Sequence, residues 1–283
     1  MSDHETGAAE ASPVDEEALA EAYNRALALE KAGDLDAAAE AYREVLALDP
    51  ADHGGAAVRL ASMGRGETPT RASEAYVATL FDQHAGEFES ILVDQLGYDV
   101  PALVRQALEE IAPGPYERML DLGCGTGLAG EVLRDMAAHI TGVDLSETMI
   151  EVTDEKELYD ALYVGDAVDF LQHADIEPFD LITATDVLPY LGELEAFFEG
   201  AAELATDGAV LAFSSETLPD ETLAGRSFMV GPHQRFAHAQ AYLGKMLADH
   251  GFAGLAIGDI VVRHEMGQPV PGHLVIARKQ KAD

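Results

Sequence analysis

The second half of the chain alternates between short apolar runs and helix-like segments, and this alternation limits the possible folds most strongly. The first five runs are 118–123, 140–145, 162–166, 179–185 and 209–215. Runs of about five residues alternating with helices are typical of a parallel sheet with crossover helices. Two later runs, 255–265 and 273–279, are joined by a short connection, which favours an antiparallel hairpin. We therefore predict an α/β fold with a mostly parallel seven-stranded sheet that an antiparallel C-terminal hairpin closes.

Two amphipathic helices are predicted ahead of the sheet. The first ends at Gly33, a residue type that stops helices, and the second begins after Asp34, a suitable N-cap. This stretch resembles a tetratricopeptide repeat. The resemblance depends on Ala26, Gly33, Ala38, Tyr42 and Pro50. One and a half repeats cannot bury a continuous core, so we expect this module to pack on its own chain, on a second copy in a homodimer, or on a protein partner.

The remaining segments follow from composition and helical periodicity. We expect a disordered acidic leader over residues 1–15, the tetratricopeptide-like hairpin over 16–63, a linker over 64–73 and the sheet-containing domain over 74–283. Further helices are predicted over 74–81, 86–96, 101–111 and 235–250.

Composition excludes several classes of function. The formal net charge is −35, so the surface repels phosphates and nucleic acid is not an expected partner. Such acidity is compatible with a salty cytoplasm or with an ordinary acidic protein. The single cysteine, Cys124, permits no intramolecular disulfide, and no histidine or cysteine pattern predicts a metal. Neither a signal peptide nor a membrane span is expected, so the predicted location is the cytoplasm.

The segment "LDLGCGTGLAG", residues 120–130, has two interpretations. Gly125, Gly127 and Gly130 form G-x-G-x-x-G, the pattern of dinucleotide-binding loops. Gly123, Gly125 and Gly127 instead form G-x-G-x-G, preceded by Asp121. In both cases the glycines lie between the first strand and its crossover helix, where the backbone approaches a ligand closely.

Acidic residues at the predicted strand ends distinguish the two interpretations. Asp144 ends the second strand and suits a ribose in either case. Asp121 would add negative charge beside a pyrophosphate, whereas it suits a ligand that carries ammonium and sulfonium groups. Asp166 follows the third strand, where it can accept from an adenine amino group. Each acid alone could be a helix N-cap, but together with the glycines they favour S-adenosylmethionine over NAD.

Residues 72–280 resemble the class I, Rossmann-like S-adenosylmethionine-dependent methyltransferases. The resemblance depends on "LDLGCGTG", "GVDLSETMI" and "FDLITATDVLPYLGEL", which begin at residues 120, 142 and 179. With the repeat in front, the whole chain resembles a bacterial branch of predicted methyltransferases that carry N-terminal tetratricopeptide repeats. The resemblance implies a Rossmann-like sheet, S-adenosylmethionine as the cofactor and methyl transfer as the activity.

The resemblance also implies roles for the residues around the adenosine. Asp144 would hold the ribose hydroxyls, and Asp166 and Ala167 would cover the adenine edge. Leu145 and Met149 would flank the adenine, although ordinary core packing explains them as well.

At the methionine part of the cofactor, Gly123, Gly125 and Gly127 would pass beneath the ligand. Asp121 would fix this loop or take the ammonium group. Phe81 would shield the sulfonium or simply anchor its helix; His84 is a further candidate on the same segment.

Candidates for the transfer step follow the fourth strand or lie late in the chain. Asp186 lies where substrate and methyl group are expected to meet, and Tyr190 and His238 are candidate bases should the acceptor lose a proton. Arg235 could pair with a substrate carboxylate or form an ordinary salt bridge. We expect a methyltransferase that acts on a small molecule; the alternative is an assembly protein in which the repeat binds a partner and the cofactor fold is a scaffold.

Overall fold

The computed structural model describes residues 15–83 and 85–281. Almost all of the predicted leader therefore lies outside the described residues. The helices are α1 (Glu16–Ala32), α2 (Leu35–Leu48), α3 (Ala56–Ser62), α4 (Glu74–Asp82), α5 (Val100–Ile111), α6 (Leu128–Leu133), α7 (Glu147–Glu155), α8 (Ala167–His173), α9 (Glu195–Leu204), α10 (Asp220–Leu223) and α11 (Gln240–Asp249). The strands are β1 (Tyr116–Leu122), β2 (Ala137–Asp144), β3 (Ala161–Val164), β4 (Phe179–Ala184), β5 (Ala205–Glu216), β6 (Phe228–Val230), β7 (Phe236–His238), β8 (Phe252–Glu265) and β9 (Gln268–Lys279).

Helices α1 and α2 form a hairpin because small residues let them approach closely. Asp15 caps α1 by accepting from the Ala18 amide at 3.1 Å, and α1 ends at Gly33, whose φ of 79° is in the left-handed region. Ala26 and Ala38 are fully buried and pack in one cluster with Tyr42. Helix α3 adds to the same cluster, so these three helices share one small core.

The sheet has the predicted mixture of parallel and antiparallel strands. Its main order is β3-β2-β1-β4-β5-β9-β8, parallel from β3 to β5 and antiparallel at β5–β9 and β8–β9. This confirms the predicted fold class, including the C-terminal hairpin. Two short strands that the sequence did not predict, β6 and β7, form a hairpin attached at the end of β5 through the pair Glu216 and Ala237.

Helices cover both faces of the sheet, as the unbroken apolar runs of the central strands require. Leu120 and Leu122 pack with α8, α9 and α11 on one face, and Met119 packs with α5 and α6 on the other. The carboxyl ends of β1 to β4 therefore meet at one edge, where ligands bind in open α/β sheets.

Two helix predictions are wrong in part. The predicted helix over 235–250 begins only at Gln240, because residues 236–238 pair with β6 instead. The predicted helix over 86–96 is replaced by a 3₁₀ turn, Ala85–Glu87, and a π-helical segment, Ser90–Gln95. Glycine is a weak helix former; Gly86 lies in the 3₁₀ turn, and Gly97 follows with a φ of 66°.

The segment between the helical module and the sheet is hydrogen-bonded to the sheet edge. The Ala72 amide donates to the Tyr190 carbonyl at 2.9 Å, and the Gly192 amide donates to the Thr70 carbonyl at 2.8 Å. The Ser73 hydroxyl donates to the Asp52 carbonyl in the helical module at 2.9 Å. These bonds hold α4 against the edge where β1 to β4 end. Among residues 15–83 and 85–281, no helix is long and apolar enough to cross a bilayer.

Candidate active site

A pocket of about 920 Å³, measured to its open mouth, lies at the carboxyl ends of β1 to β4. One part, the β1–β3 end, is lined by Gly123, Gly125, Asp144, Leu145, Asp166 and Ala167. The other part, the β4 end, is lined by Asp186 and Tyr190, with Phe81 of α4 across from them. Nine of the residues singled out from the sequence thus share one pocket.

Four predicted site residues do not line the pocket. Asp121 is fully buried at the end of β1, Met149 is fully buried in α7, and Gly127 precedes α6 with a φ of 89°. His238 is fully buried on β7. His84, the further aromatic candidate, lies outside the described residues.

The glycine loop needs glycine because its backbone is in the left-handed region and packs tightly. Gly123 has a φ of 62°, and a Cβ there would lie 2.5 Å from Val187 Cγ2. The carboxylate of Asp144 ties the loop to β2, since it accepts from the amides of Gly125 at 2.8 Å and Ser146 at 2.9 Å. Burial raises the pKa of Asp144, and these two donors oppose the rise. Two of about four acceptor positions on the carboxylate are thus used by the protein.

The third glycine of the dinucleotide pattern has a packing explanation. A Cβ on Gly130 would lie 2.5 Å from the Tyr159 ring, and the Gly130 amide donates to the Tyr159 hydroxyl at 3.0 Å. Gly130 therefore accommodates a tyrosine beneath the loop. This accounts for G-x-G-x-x-G without a bound pyrophosphate.

Tyr159 is a supporting residue that the sequence gave no reason to single out. Its hydroxyl donates to Asp121 at 2.7 Å, and Thr183 donates to the other carboxylate oxygen at 2.8 Å. Burial raises the pKa of Asp121 to about 6. Asp121 therefore supports the loop from below and adds a buried carboxylate close to the β1–β3 end.

Asp166 both caps a helix and faces the pocket. One carboxylate oxygen accepts from the amides of Val168 and Asp169, each at 3.0 Å, at the start of α8. The other oxygen bonds Arg71 from the segment before α4. Asp166 is therefore both a helix N-cap and a pocket residue: one oxygen caps α8, and the other contacts Arg71.

Buried ion pairs support the β4 end. Arg235 donates to Asp186 at 2.5 Å and to the Tyr190 hydroxyl at 2.7 Å, and its Nε lies 2.6 Å from Glu216. Arg263 bonds the same Glu216 at 2.5 Å. Asp186 has a φ of 67°, an unfavourable value for aspartate that the surrounding bonds hold in place. Of the two roles predicted for Arg235, pairing with a substrate carboxylate or forming a salt bridge, the structure shows the salt bridge, and its partners are buried.

His238 packs behind the pocket wall. Its Nε2 lies 2.9 Å from the Leu191 carbonyl, and its ring stacks on Tyr242. Burial lowers the pKa of His238 to about 4, so the ring is neutral near pH 7. Its predicted place at a helix start is wrong because β7 pairs with β6, and this pairing turns His238 into the core.

Aromatic edges surround the opening between the two ends. The Phe81 ring lies 5.5 Å from Tyr190 and 5.8 Å from Phe88, both edge to face. Aromatic faces attract cations, so a positively charged group is favoured beside them.

The carboxylates in and near the pocket fit a cationic nucleoside better than a dinucleotide. Carboxylates at Asp144 and Asp166 face the pocket, and Asp121 lies buried near them. A pyrophosphate would meet these like charges, whereas ribose hydroxyls and an adenine amino group donate to carboxylates. The sheet order, the glycine loop and these acids are the features of a class I, Rossmann-like methyltransferase domain, and they fit S-adenosylmethionine as its cofactor.

Comparison with known families agrees with this class. Residues 120–211 match a family model described as a methyltransferase domain. The chain is 28% identical over 121 residues to a ubiquinone biosynthesis O-methyltransferase of Hahella chejuensis, covering 42% of this chain and 51% of that protein. It is 32% identical over 102 residues to the Coxiella burnetii (strain Dugway 5J108-111) protein of the same name, covering 35% and 43%. The chain thus spans about half the length of these curated relatives.

Solved structures share the fold. The N-methyltransferase NodS of Bradyrhizobium japonicum, solved with S-adenosyl-L-homocysteine, aligns with a TM-score of 0.50 at 19% identity over 64% of this chain and 85% of that one. The [4+2]-cyclase SpnF aligns with a TM-score of 0.59 at 16% identity over 76% and 99%. The chain shares the Rossmann-like fold of class I S-adenosylmethionine-dependent methyltransferases, and SpnF illustrates that the fold alone does not fix the reaction.

Proposed function

We propose that this protein transfers a methyl group from S-adenosylmethionine to a small-molecule acceptor. The observation that carries the proposal is the single pocket in which Asp144 and Asp166 flank the glycine loop while Asp186 and Tyr190 border the far end. Adenosine would lie at the β1–β3 end, and the acceptor would enter at the β4 end.

The β1–β3 end would orient the cofactor. Asp144 has acceptor positions left for the ribose hydroxyls. Asp166 and Ala167 would border the adenine, with Leu145 beside the ring. Met149, which is buried in α7, would act through Leu145 by packing.

The loop and its supports would hold the methionine part of the cofactor. Gly123 and Gly125 would pass beneath it, and Gly127 would start α6 in the required direction. Asp121 would fix the loop through Tyr159 and Thr183.

When bound, S-adenosylmethionine would supply an activated methyl group, and its sulfur would keep the electron pair of the broken carbon–sulfur bond. The reacting atom of the acceptor would form the new bond to the methyl carbon and, where it carries a proton, would release that proton to solvent at the pocket mouth. The protein would hold the two reactants in line and exclude water. Phe81 and Tyr190 border the junction of the two ends, where ring faces stabilise a cation by about 0.5–2 kcal/mol.

Tyr190 would position the acceptor and keep its own proton. Burial raises the pKa of Tyr190 above its ordinary value, so the phenolate is disfavoured near pH 7. The Tyr190 hydroxyl accepts a hydrogen bond from Arg235. Its own hydrogen would be donated to an oxygen or nitrogen atom of the methyl acceptor. His238 is neutral and lies buried behind Leu191, so it does not line the pocket. Its role as a base therefore remains a prediction from the sequence alone.

A second cavity favours the alternative of a partner-binding protein. It is lined by Tyr23 and Arg59 of the helical module and by Tyr76 of α4. In that alternative the module binds a protein partner or a second copy, and the methyltransferase fold is a scaffold. A folded protein that binds S-adenosylmethionine and a partner at the helical module but transfers no methyl group would favour this alternative.

A thermal-shift comparison of S-adenosylmethionine, S-adenosylhomocysteine and NAD tests the proposal. A ligand at 100 times its dissociation constant stabilises the folded protein by about 2.7 kcal/mol. We expect a rise in the unfolding temperature with the first two ligands and none with NAD. A rise with NAD alone would contradict the proposal.

A further inference from the structure

The charge of the pocket limits the kind of acceptor that can enter it. Four carboxylates line the pocket, and Arg71 is the one basic side chain among its described lining residues. Arg71 is already paired, since it contacts Asp166 and lies 3.5 Å from Glu74. An anionic acceptor would therefore find no unpaired basic side chain among these lining residues.

The nearest buried cation at the β4 end is engaged by the protein. Arg235 pairs with Asp186 and Glu216, and it also donates to Tyr190. The Arg235 side chain is only 15% exposed and that of Glu216 only 7% exposed. An acceptor carboxylate would have to displace one of these carboxylates, and breaking a buried pair is unfavourable.

One oxygen at this end lacks a donor. Within the described part of the chain, Asp186 Oδ1 is buried with no hydrogen-bond partner. A carboxylate oxygen can only accept, so an O–H or N–H group satisfies it and a second carboxylate cannot.

The rest of the β4 end is apolar and aromatic. Phe81, Tyr98 and Tyr190 line it, and Phe88 and Leu92 line the same pocket. Flat apolar rings pack well against such edges. The polar groups are thus few and are suited to a hydroxyl or an amine.

We propose that the acceptor is an aromatic hydroxyl or amine compound that is neutral or cationic, and that the site discriminates against carboxylates. This inference rests on the proposed function, because it assigns the acceptor to the β4 end of the same pocket. Asp186 is its specificity-determining residue, and the pairing of Arg235 keeps that guanidinium from binding an anion.

Three phenols with the same ring and similar side chains test the proposal: 4-propylphenol is neutral, tyramine is cationic and 3-(4-hydroxyphenyl)propanoate is anionic. Calorimetry gives their dissociation constants for the full chain, with and without saturating S-adenosylhomocysteine. We expect the first two to bind at least about tenfold more tightly than the propanoate. Equal or tighter binding of the propanoate would overturn the proposal, as would the absence of binding by all three at millimolar concentration.

Binding of S-adenosylhomocysteine is measured first and is judged separately. If it does not bind, the proposed function fails, whereas the order of the three phenols on the free chain still decides the charge preference.

Asp186→Asn tests the source of the discrimination. It removes one carboxylate while keeping the shape, so the propanoate should bind several-fold more tightly and the ratio should fall. Asp154→Asn, at an exposed position on α7, is the matched control and should leave the ratio unchanged. An unchanged ratio in Asp186→Asn would overturn the assignment. Should that variant not fold, Glu74→Gln at the half-exposed pocket rim carries the same test, with a smaller shift in the same direction.

Discussion

The two ends of the pocket are built in different ways. The β1–β3 end is made within residues 121–167, from a glycine loop and carboxylates that accept from nearby amides. The β4 end depends on Asp186, Arg235 and Arg263, which are far apart in sequence and meet as buried ion pairs. The first arrangement is local and repeats a common motif, whereas the second depends on the hairpin β6–β7 and the long strand β8.

This difference in construction corresponds to two proposed roles: cofactor binding at the β1–β3 end and acceptor selection at the β4 end. The local end would hold a cofactor that many proteins share, and its groups would contact that ligand mainly through the backbone and through carboxylate oxygens. The distant end would choose the acceptor, so changes there should alter stability and selectivity more than cofactor affinity. Four predictions test this division, in order of expected effect.

The largest effect is expected at the buried ion pairs. Arg235→Ala leaves Asp186 and Glu216 without their shared partner, which should lower the free energy of unfolding by about 3–5 kcal/mol. Urea unfolding measures the loss. Arg25→Ala, which breaks the exposed pair with Glu44, is the control and should cost less than about 1 kcal/mol. Equal losses in the two variants would contradict the claim that buried ion pairs hold the β4 end together.

At the β1–β3 end, the effect should be on binding. Asp144→Asn removes a charged acceptor and weakens its bonds to Gly125 and Ser146. We expect affinity for S-adenosylhomocysteine to fall by about 1.5–3 kcal/mol, measured by calorimetry. The exposed Asp154→Asn on α7 should bind as the wild type does. A normal affinity in Asp144→Asn would mean that the ribose is held elsewhere.

Gly130 tests whether Tyr159 supports the loop. Gly130→Ala places a methyl group against the Tyr159 ring and should destabilise the protein by about 1–3 kcal/mol. Gly244→Ala in α11 has open space around its Cβ, so it should stabilise by about 0.5–1 kcal/mol. Thermal unfolding of both variants gives the comparison. The explanation of Gly130 fails if its alanine variant is as stable as the wild type.

The smallest effect is a pH dependence at Asp121. Its pKa is raised to about 6 by burial, so the folded state binds its proton more tightly than the unfolded state. Asp121 therefore stabilises the fold most at low pH, and about 1 kcal/mol of this contribution is lost between pH 5 and 7.5. Urea unfolding at both pH values should show this change in the wild type relative to Asp121→Asn. A constant difference between the two proteins would contradict the buried titration.

The β1–β3 end could be predicted from sequence because its determinants are local. Glycines, strand ends and acids follow one another within residues 120–167, and each has a separate physical reason. The sheet was equally predictable, since its apolar runs are distinct from the helical periodicity.

The supports of the pocket could not be predicted in the same way. Tyr159 and Arg71 act across long sequence separations, and neither lies in a pattern that indicates a partner. The short strand β7 carries too few residues to show alternation, so 235–250 was predicted as one helix and His238 was placed at its start. Tertiary pairing with β6 decided that segment.

A crystal structure of the protein with S-adenosylhomocysteine tests the central claim most directly. We expect ribose hydroxyls within hydrogen-bond distance of Asp144, the adenine beside Asp166 and Ala167, and the sulfur directed toward Asp186 and Tyr190. A ligand bound outside this pocket, or bound in it with its ribose away from Asp144, would mean that the β1–β3 end is not the cofactor site.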